Sequence, residues 1–125
     1  MLKLQNEIDE ATKSGRVSYL VRDEEARNEL PYLNAVIKEA TRLHSSVGLL
    51  LERHVPAEGA TICGKFLPPG TIVGINPWVL QHNSDVFERP ESFEPERWML
   101  DAQKDKERLA RMEKHFFSFG AGSRV

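Results

Sequence analysis

The 125-residue chain carries 17 lysines and arginines against 19 aspartates and glutamates, a formal charge of −2. That length allows one domain or part of one, and so even a charge balance argues against a nucleic-acid surface, which needs a basic excess to neutralise phosphates. No run of about 18 apolar residues occurs, and the N-terminal MLKLQNEIDEATKSGR breaks any signal-peptide core with acids and amides. The single cysteine, Cys63, excludes an internal disulfide framework and a multi-cysteine zinc site. With 40% hydrophobic and 29% charged residues, the composition is globular and not disordered.

Met1, Leu4, Ile8 and Ala11 recur at helical spacing. Lys3 and Glu7 stand i,i+4 apart for an ion pair, and Gly15 offers a C-terminal stop. The polar stretch Arg16 to Glu29 follows, its DEEARNE segment starting or preceding another helix. The clearest helix then begins at Leu30-Pro31, where proline's missing N–H costs nothing, and runs through LPYLNAVIKEATRLH. Leu33, Ile37, Ala40 and Leu43 or His44 form its apolar stripe, and Gly48 ends the pattern.

From Leu49 to Ile75 the texture becomes β-rich. LLLERHV, ATICGKFL and TIVGI read as strands, with a turn at or beside Cys63-Gly64-Lys65 and another at Pro68-Pro69-Gly70. Asn76-Pro77 opens a short helix to His82. Pro90 and Pro95 mark an extended, irregular crossing. Leu109, Met112 and Phe116 give a short surface helix within the charged stretch from Asp101 to Lys114. At the end, Phe116, Phe117 and Phe119 are expected to be buried, and they lead into the glycine-rich turn of FSFGAGSRV. Exposed chain ends are usually polar, and the β pieces are too short for an independent sandwich. The chain is therefore expected to be a fragment of a larger domain.

Three constellations carry chemistry. Glu39 and Arg42 lie three apart on the main helix; such a pair is ordinarily solvated, but beside Ile37 and Ala40 it could point inward. Arg97 stands in the stiff segment Phe93-Glu94-Pro95-Glu96-Arg97-Trp98. A buried carboxylate has about four lone-pair sites, enough for two guanidinium forks, so Arg42 and Arg97 together could clamp Glu39. Losing one member of such a network costs roughly 3–5 kcal/mol, because a charge is left buried and unpaired. The C-terminal FSFGAGSRV admits three readings: a dinucleotide loop, which lacks its third glycine; an incidental turn; or a cofactor loop in which small residues let backbone approach a flat ligand while Arg124 meets an anionic group. His44, His54, His82 and His115 show no metal-ligand spacing, and Cys63 fits a small strand or turn residue.

Taken in order, Glu39-Ala-Thr-Arg42, Pro95-Glu-Arg-Trp98 and Phe119-Gly-Ala-Gly-Ser-Arg124-Val125 resemble the motifs of the cytochrome P-450 superfamily of haem-thiolate monooxygenases. The texture of HSSVGLLLERHVP and of FLPPGTIVGINPWVLQHNSDVFERPESF extends the resemblance over nearly the whole chain and is most similar to fungal microsomal members of the pisatin-demethylase type.

The resemblance implies a mainly α fold with small β-sheets (α+β), with residues 1–125 a fragment of one catalytic domain, truncated just before the axial cysteine expected after Val125. Glu39, Arg42 and Arg97 match a fold-stabilising triad. Arg53 and Arg124 match arginines that hold haem propionates. Phe119 matches the aromatic residue that shields the thiolate, and Gly122 the glycine that turns the loop under the ring. The implied cofactor is haem b, with O2, a lipophilic substrate and an NADPH-dependent reductase as partners, and no nucleic acid. The parent protein is expected at the endoplasmic reticulum membrane, on its cytosolic face, through an N-terminal anchor outside this stretch. The fragment alone is expected to be soluble and inactive. The alternative is a non-catalytic truncated product that acts, if at all, as a binding module; a zinc module ranks third.

Overall fold

The structure is a computed structural model that describes residues 2–101 and 103–120. Five helices, one 3-10 turn and four short strands follow one another along the chain. They are α1 (Leu2–Lys13), α2 (Asp23–Glu29), α3 (Pro31–Leu43), β1 (Leu51–His54), β2 (Ala60–Ile62), β3 (Lys65–Leu67), β4 (Ile72–Ile75), α4 (Pro77–Gln81), the 3-10 turn Pro95–Trp98, and α5 (Lys106–His115).

The helical expectations hold in kind, with α2 now a defined element. One predicted ion pair does not form. Lys3 reaches Glu96 at 2.9 Å, and the Glu7 carboxylate accepts the backbone N–H groups of Tyr32 and Leu33 at 2.7 and 2.8 Å. Those donors belong to the first turn of α3, where the helix itself supplies no acceptor and the dipole favours negative charge. Glu7 therefore caps α3 from another helix. Below this junction Ala11, Val17 and Leu30 form one small core, with Ala26 and Leu33 packed against it.

The buried face of α3 also differs from the expected stripe. Ala35, Glu39 and Arg42 are buried, whereas Ile37 is 53% exposed and Ala40 is exposed as well. Hydrogen bonds from the 3-10 turn fix the rotation of this helix, and they outweigh the loose preference of an apolar stripe.

The β region forms two antiparallel ribbons. β1 pairs with β4 in the register Leu51 to Ile75 and His54 to Ile72. β2 pairs with β3, so ATICGKFL is a hairpin, turning at Cys63 and Gly64. Both turn residues have positive φ (50° and 75°), the backbone hand that matches strand twist in a two-residue loop. Gly59 is fixed sterically: its φ is +76°, and a Cβ there would lie 2.6 Å from the Phe66 ring.

The proline-rich crossing is more regular than expected, because Pro95 opens a 3-10 turn with proline at its first position. Val86, Phe87 and Met112 make the second small core, with Trp98, Leu100 and Leu109 around it. The C-terminal aromatics correct another expectation. Phe116 and Phe117 are half-buried, while Phe119 is 75% exposed. Gly122, Arg124 and the rest of the glycine loop lie outside the described residues.

Candidate functional site

The densest polar chemistry sits where α3 meets the 3-10 turn. Glu39, Arg42 and Arg97 are almost wholly enclosed: Glu39 and Arg42 have no exposed surface, and Arg97 has 4%. The helical spacing of Glu39 and Arg42 lets Arg42 grip the carboxylate with two N–H groups, Nε to Oε2 at 3.0 Å and Nη2 to Oε1 at 2.9 Å. Arg97 donates a single N–H, Nε to Oε1 at 3.0 Å, and not the second fork expected from its type. Its Nη1 goes to the Glu88 carbonyl at 2.8 Å instead, because the chain folds back over it between residues 88 and 94.

Two donors complete the shell, and neither was anticipated. The Glu94 backbone N–H reaches Oε1 at 3.0 Å, and the Trp98 indole N–H reaches Oε2 at 2.9 Å. The signal for Trp98 was present in its position next to Arg97; an indole has one N–H that must find a partner when enclosed. No side-chain polar atom buried among the described residues is left without a partner.

Electrostatically, Glu39 is a contest that the hydrogen bonds win. Burial alone pushes its pKa up, but Arg42, the Glu94 N–H and the Trp98 indole together hold it below the ordinary value of 4.5. The aromatic surround adds to this. The Arg42 guanidinium lies 5.1 Å from the Phe87 ring centre, and Lys38 lies 4.5 Å from that of Trp98.

Next to the clamp is Gln81, the last residue of α4, which sequence reasoning passed over. It is fully buried. Its main-chain carbonyl accepts Arg42 Nη1 at 2.8 Å, and its side chain reaches both the Arg42 carbonyl and the segment Phe117-Ser118. A buried glutamine gives no sequence signal when its partners are main-chain groups 36 to 39 residues away.

A separate concavity of about 330 Å³ opens beside the ribbons, lined by Leu51, Ile62, Leu67, Val73, Ile75 and Phe117, with Arg53 as its one charged group. Among the described residues the Arg53 side chain is bonded to the carbonyl of its neighbour Glu52, at 2.7 Å, and its other donors face no described acceptor. An apolar wall with one guanidinium suits a flat hydrophobic group that carries a carboxylate at its edge. The structure thus brings Glu39, Arg42 and Arg97 into one cluster and sets Arg53 apart, in this wall. Phe119 lies on the surface beyond Phe117. Among the described residues, no three His, Cys, Asp or Glu side chains are grouped to hold a metal ion.

The helices, the small ribbons and the Glu-x-x-Arg clamp together define a partial α+β fold. The comparisons are specific. The family profile described as Cytochrome P-450 matches residues 1–125. A cytochrome P-450 monooxygenase of Aspergillus terreus is 46% identical over 124 residues, covering 98% of this chain and 24% of the relative. A pisatin demethylase of Fusarium vanettenii is 43% identical over 122 residues, covering 97% of this chain and 22% of the relative. A solved zebra fish cytochrome P-450 with abiraterone superposes with a TM-score of 0.73 at 31% identity, over 98% of this chain and 26% of that one. The chain belongs to the cytochrome P-450 family. It spans about a quarter of the length of the curated relatives it matches.

Proposed function

We propose that this chain is part of the catalytic domain of a haem-dependent monooxygenase that inserts one oxygen atom from O2 into a lipophilic organic molecule. The observation that carries the reading is the apolar wall with Arg53 at its side, in a chain of this family. Haem b fits that wall chemically: Leu51, Val73, Ile75 and Phe117 would hold its apolar body, and Arg53 would hold an anionic propionate. When bound through a cysteine thiolate, haem supplies the activation of O2, and two electrons from a reductase accompany release of the second oxygen atom as water.

The residues of this chain hold and orient. Arg53 binds a propionate, and by family resemblance Arg124 binds another. The same resemblance would assign Gly122 to the turn of the loop and Phe119 to shielding the sulfur. Glu39, Arg42 and Arg97 keep the helix and the Pro95–Trp98 turn in one rigid piece behind the loop. By family resemblance the iron ligand would be a cysteine placed directly after Arg124 and Val125 in the loop motif. An NADPH-dependent reductase donates the electrons, and the complete protein sits on the cytosolic face of the endoplasmic reticulum.

The coding sequence tests the reading directly. Codons after Val125 should encode cysteine, one further residue and glycine in frame, and the complete protein should bind one haem per chain. A stop codon at that point in both genomic DNA and transcript would defeat it.

A further inference from the structure

We propose that Gln81 is a positioning residue for the haem loop: its carboxamide ties the backbone at Phe117 and Ser118 to the C-terminal end of α3. The helix that carries the carboxylate clamp then also fixes where the loop begins. The loop's purpose rests on the haem reading above, whereas the tether rests on geometry alone.

Gln81 uses both ends of its amide. Nε2 donates to the Arg42 carbonyl at 3.0 Å and to Ser45 Oγ. Oε1 accepts the Phe117 backbone N–H at 2.8 Å and the Ser118 hydroxyl at 2.9 Å. Its main-chain carbonyl takes Arg42 Nη1 at 2.8 Å, so Arg42 and Gln81 hold each other by two reciprocal bonds. The site needs two donors and a doubly accepting oxygen on one short, uncharged side chain, and glutamine supplies that set. An ionised glutamate could only accept, and it would turn its second oxygen on the Arg42 carbonyl. A hydrophobic residue could do neither.

The consequence is a direct mechanical path. Arg42 is fixed by Glu39, Gln81 by Arg42, and the first two loop residues by Gln81. Glu39, Arg42, Gln81 and Ser118 are buried, where an unmade hydrogen bond is costly and a made one is rigid, and Phe117 is half-buried beside them. Ser118, itself only 4% exposed, also lies within 3.1 Å of the Thr41 carbonyl, which gives its one hydroxyl proton an alternative acceptor on α3. The backbone at Phe117 and Ser118 is therefore registered against α3 at the start of the loop.

The test uses the complete, haem-loaded protein with Gln81→Met, which keeps length and removes every amide bond, and with Ser118→Ala, which removes one. Amide exchange is followed in residues 116–120 and, as an internal reference, in residues 94–98. The ferrous carbonyl spectrum reports the fraction of iron that keeps its thiolate. For Gln81→Met, exchange at Phe117 should rise about tenfold, as expected for one lost buried hydrogen bond, while residues 94–98 stay protected. The thiolate-bound fraction should fall, and Ser118→Ala should move both readouts the same way by less. Unchanged exchange at Phe117 would overturn the tether, and so would an equal rise in residues 94–98, which marks general loosening. If Gln81→Met yields no folded protein, the same comparison on Ser118→Ala decides. A wild-type complete protein that takes up no haem would sink the haem assignment, while the exchange comparison would still judge the tether.

Discussion

Trp98 and Glu39 are joined by a hydrogen bond from the indole N–H to Oε2 at 2.9 Å, across 59 positions of sequence. The same ring leans edge-on against Phe116, with centres 5.5 Å apart. One side chain thus serves the carboxylate with its polar edge and the core with its apolar body. Trp98→Phe should keep most of the packing and lose the bond, at a cost of about 1.5–3 kcal/mol for a partner of a buried charge. Chemical denaturation of the complete protein measures it, and an unchanged midpoint would show that the bond contributes nothing.

Arg97 should not be replaceable by lysine. Its Nε serves Glu39 and its Nη1 serves the Glu88 carbonyl, a geometry that one ammonium cannot span. Arg97→Ala should destabilise by roughly 3–5 kcal/mol, because a buried carboxylate loses a charged partner. Arg97→Lys should recover less than half of that loss. A lysine variant as stable as wild type would mean that charge alone holds the segment.

Acid should open this junction through Glu39. Its pKa in the folded chain is held below the ordinary 4.5, so folding is favoured by its ionisation. That contribution is fully present above pH 4.5 and fades as the pH falls through the depressed folded value. Glu39→Gln should be less stable at neutral pH, and its stability should fall less steeply than that of wild type on going below pH 4.5. Parallel stability curves for the two proteins in acid would contradict this.

Lys38 links α3 to α5 by pairing with Glu113 while lying over Trp98 and Phe116. Lys38→Met keeps the aliphatic stem and removes the charge. The expected loss is about 1 kcal/mol, typical of a partly exposed cation on a ring, together with a change in Trp98 fluorescence. A change in fluorescence without any loss of stability would assign the contact to packing alone.

Arg53 should behave in the opposite way to the clamp arginines. It is exposed and, among the described residues, its side chain bonds to the preceding carbonyl, that of Glu52, so Arg53→Leu should leave folding stability intact. Haem retention should fall instead, by a factor read from the rate of transfer to an apo-globin. Equal haem transfer from both proteins would remove Arg53 from the propionate role.

The features that were legible in the sequence are those with local causes. Pro31 and Pro77 announced helix starts, Cys63-Gly64 a tight turn, and the three-residue spacing of Glu39 and Arg42 a shared face. What escaped depended on partners far along the chain. Glu7 was assigned to Lys3 because they are neighbours on one helix, yet it caps α3 25 residues later. Ile37 was placed inward by periodicity, but five hydrogen bonds on Glu39 turn the helix otherwise. Arg97 could be paired with Glu39 from the lone-pair capacity of a buried carboxylate and the stiff segment it stands in, but its division between Glu39 and Glu88 could not be read from residue type. Gln81 has no pattern at all, since its side-chain partners lie 36 to 39 residues away in sequence.

The sequence distance within the clamp has a consequence for synthesis. Arg97 lies 58 residues after Glu39, so at about 5–20 residues per second the ribosome releases it roughly 3–12 s later. Through that interval the nascent carboxylate has Arg42, one helical turn away, as its companion. Of the five bonds on Glu39, the two from Arg42 join residues made almost together, and the other three wait for Glu94, Arg97 and Trp98 to be synthesised.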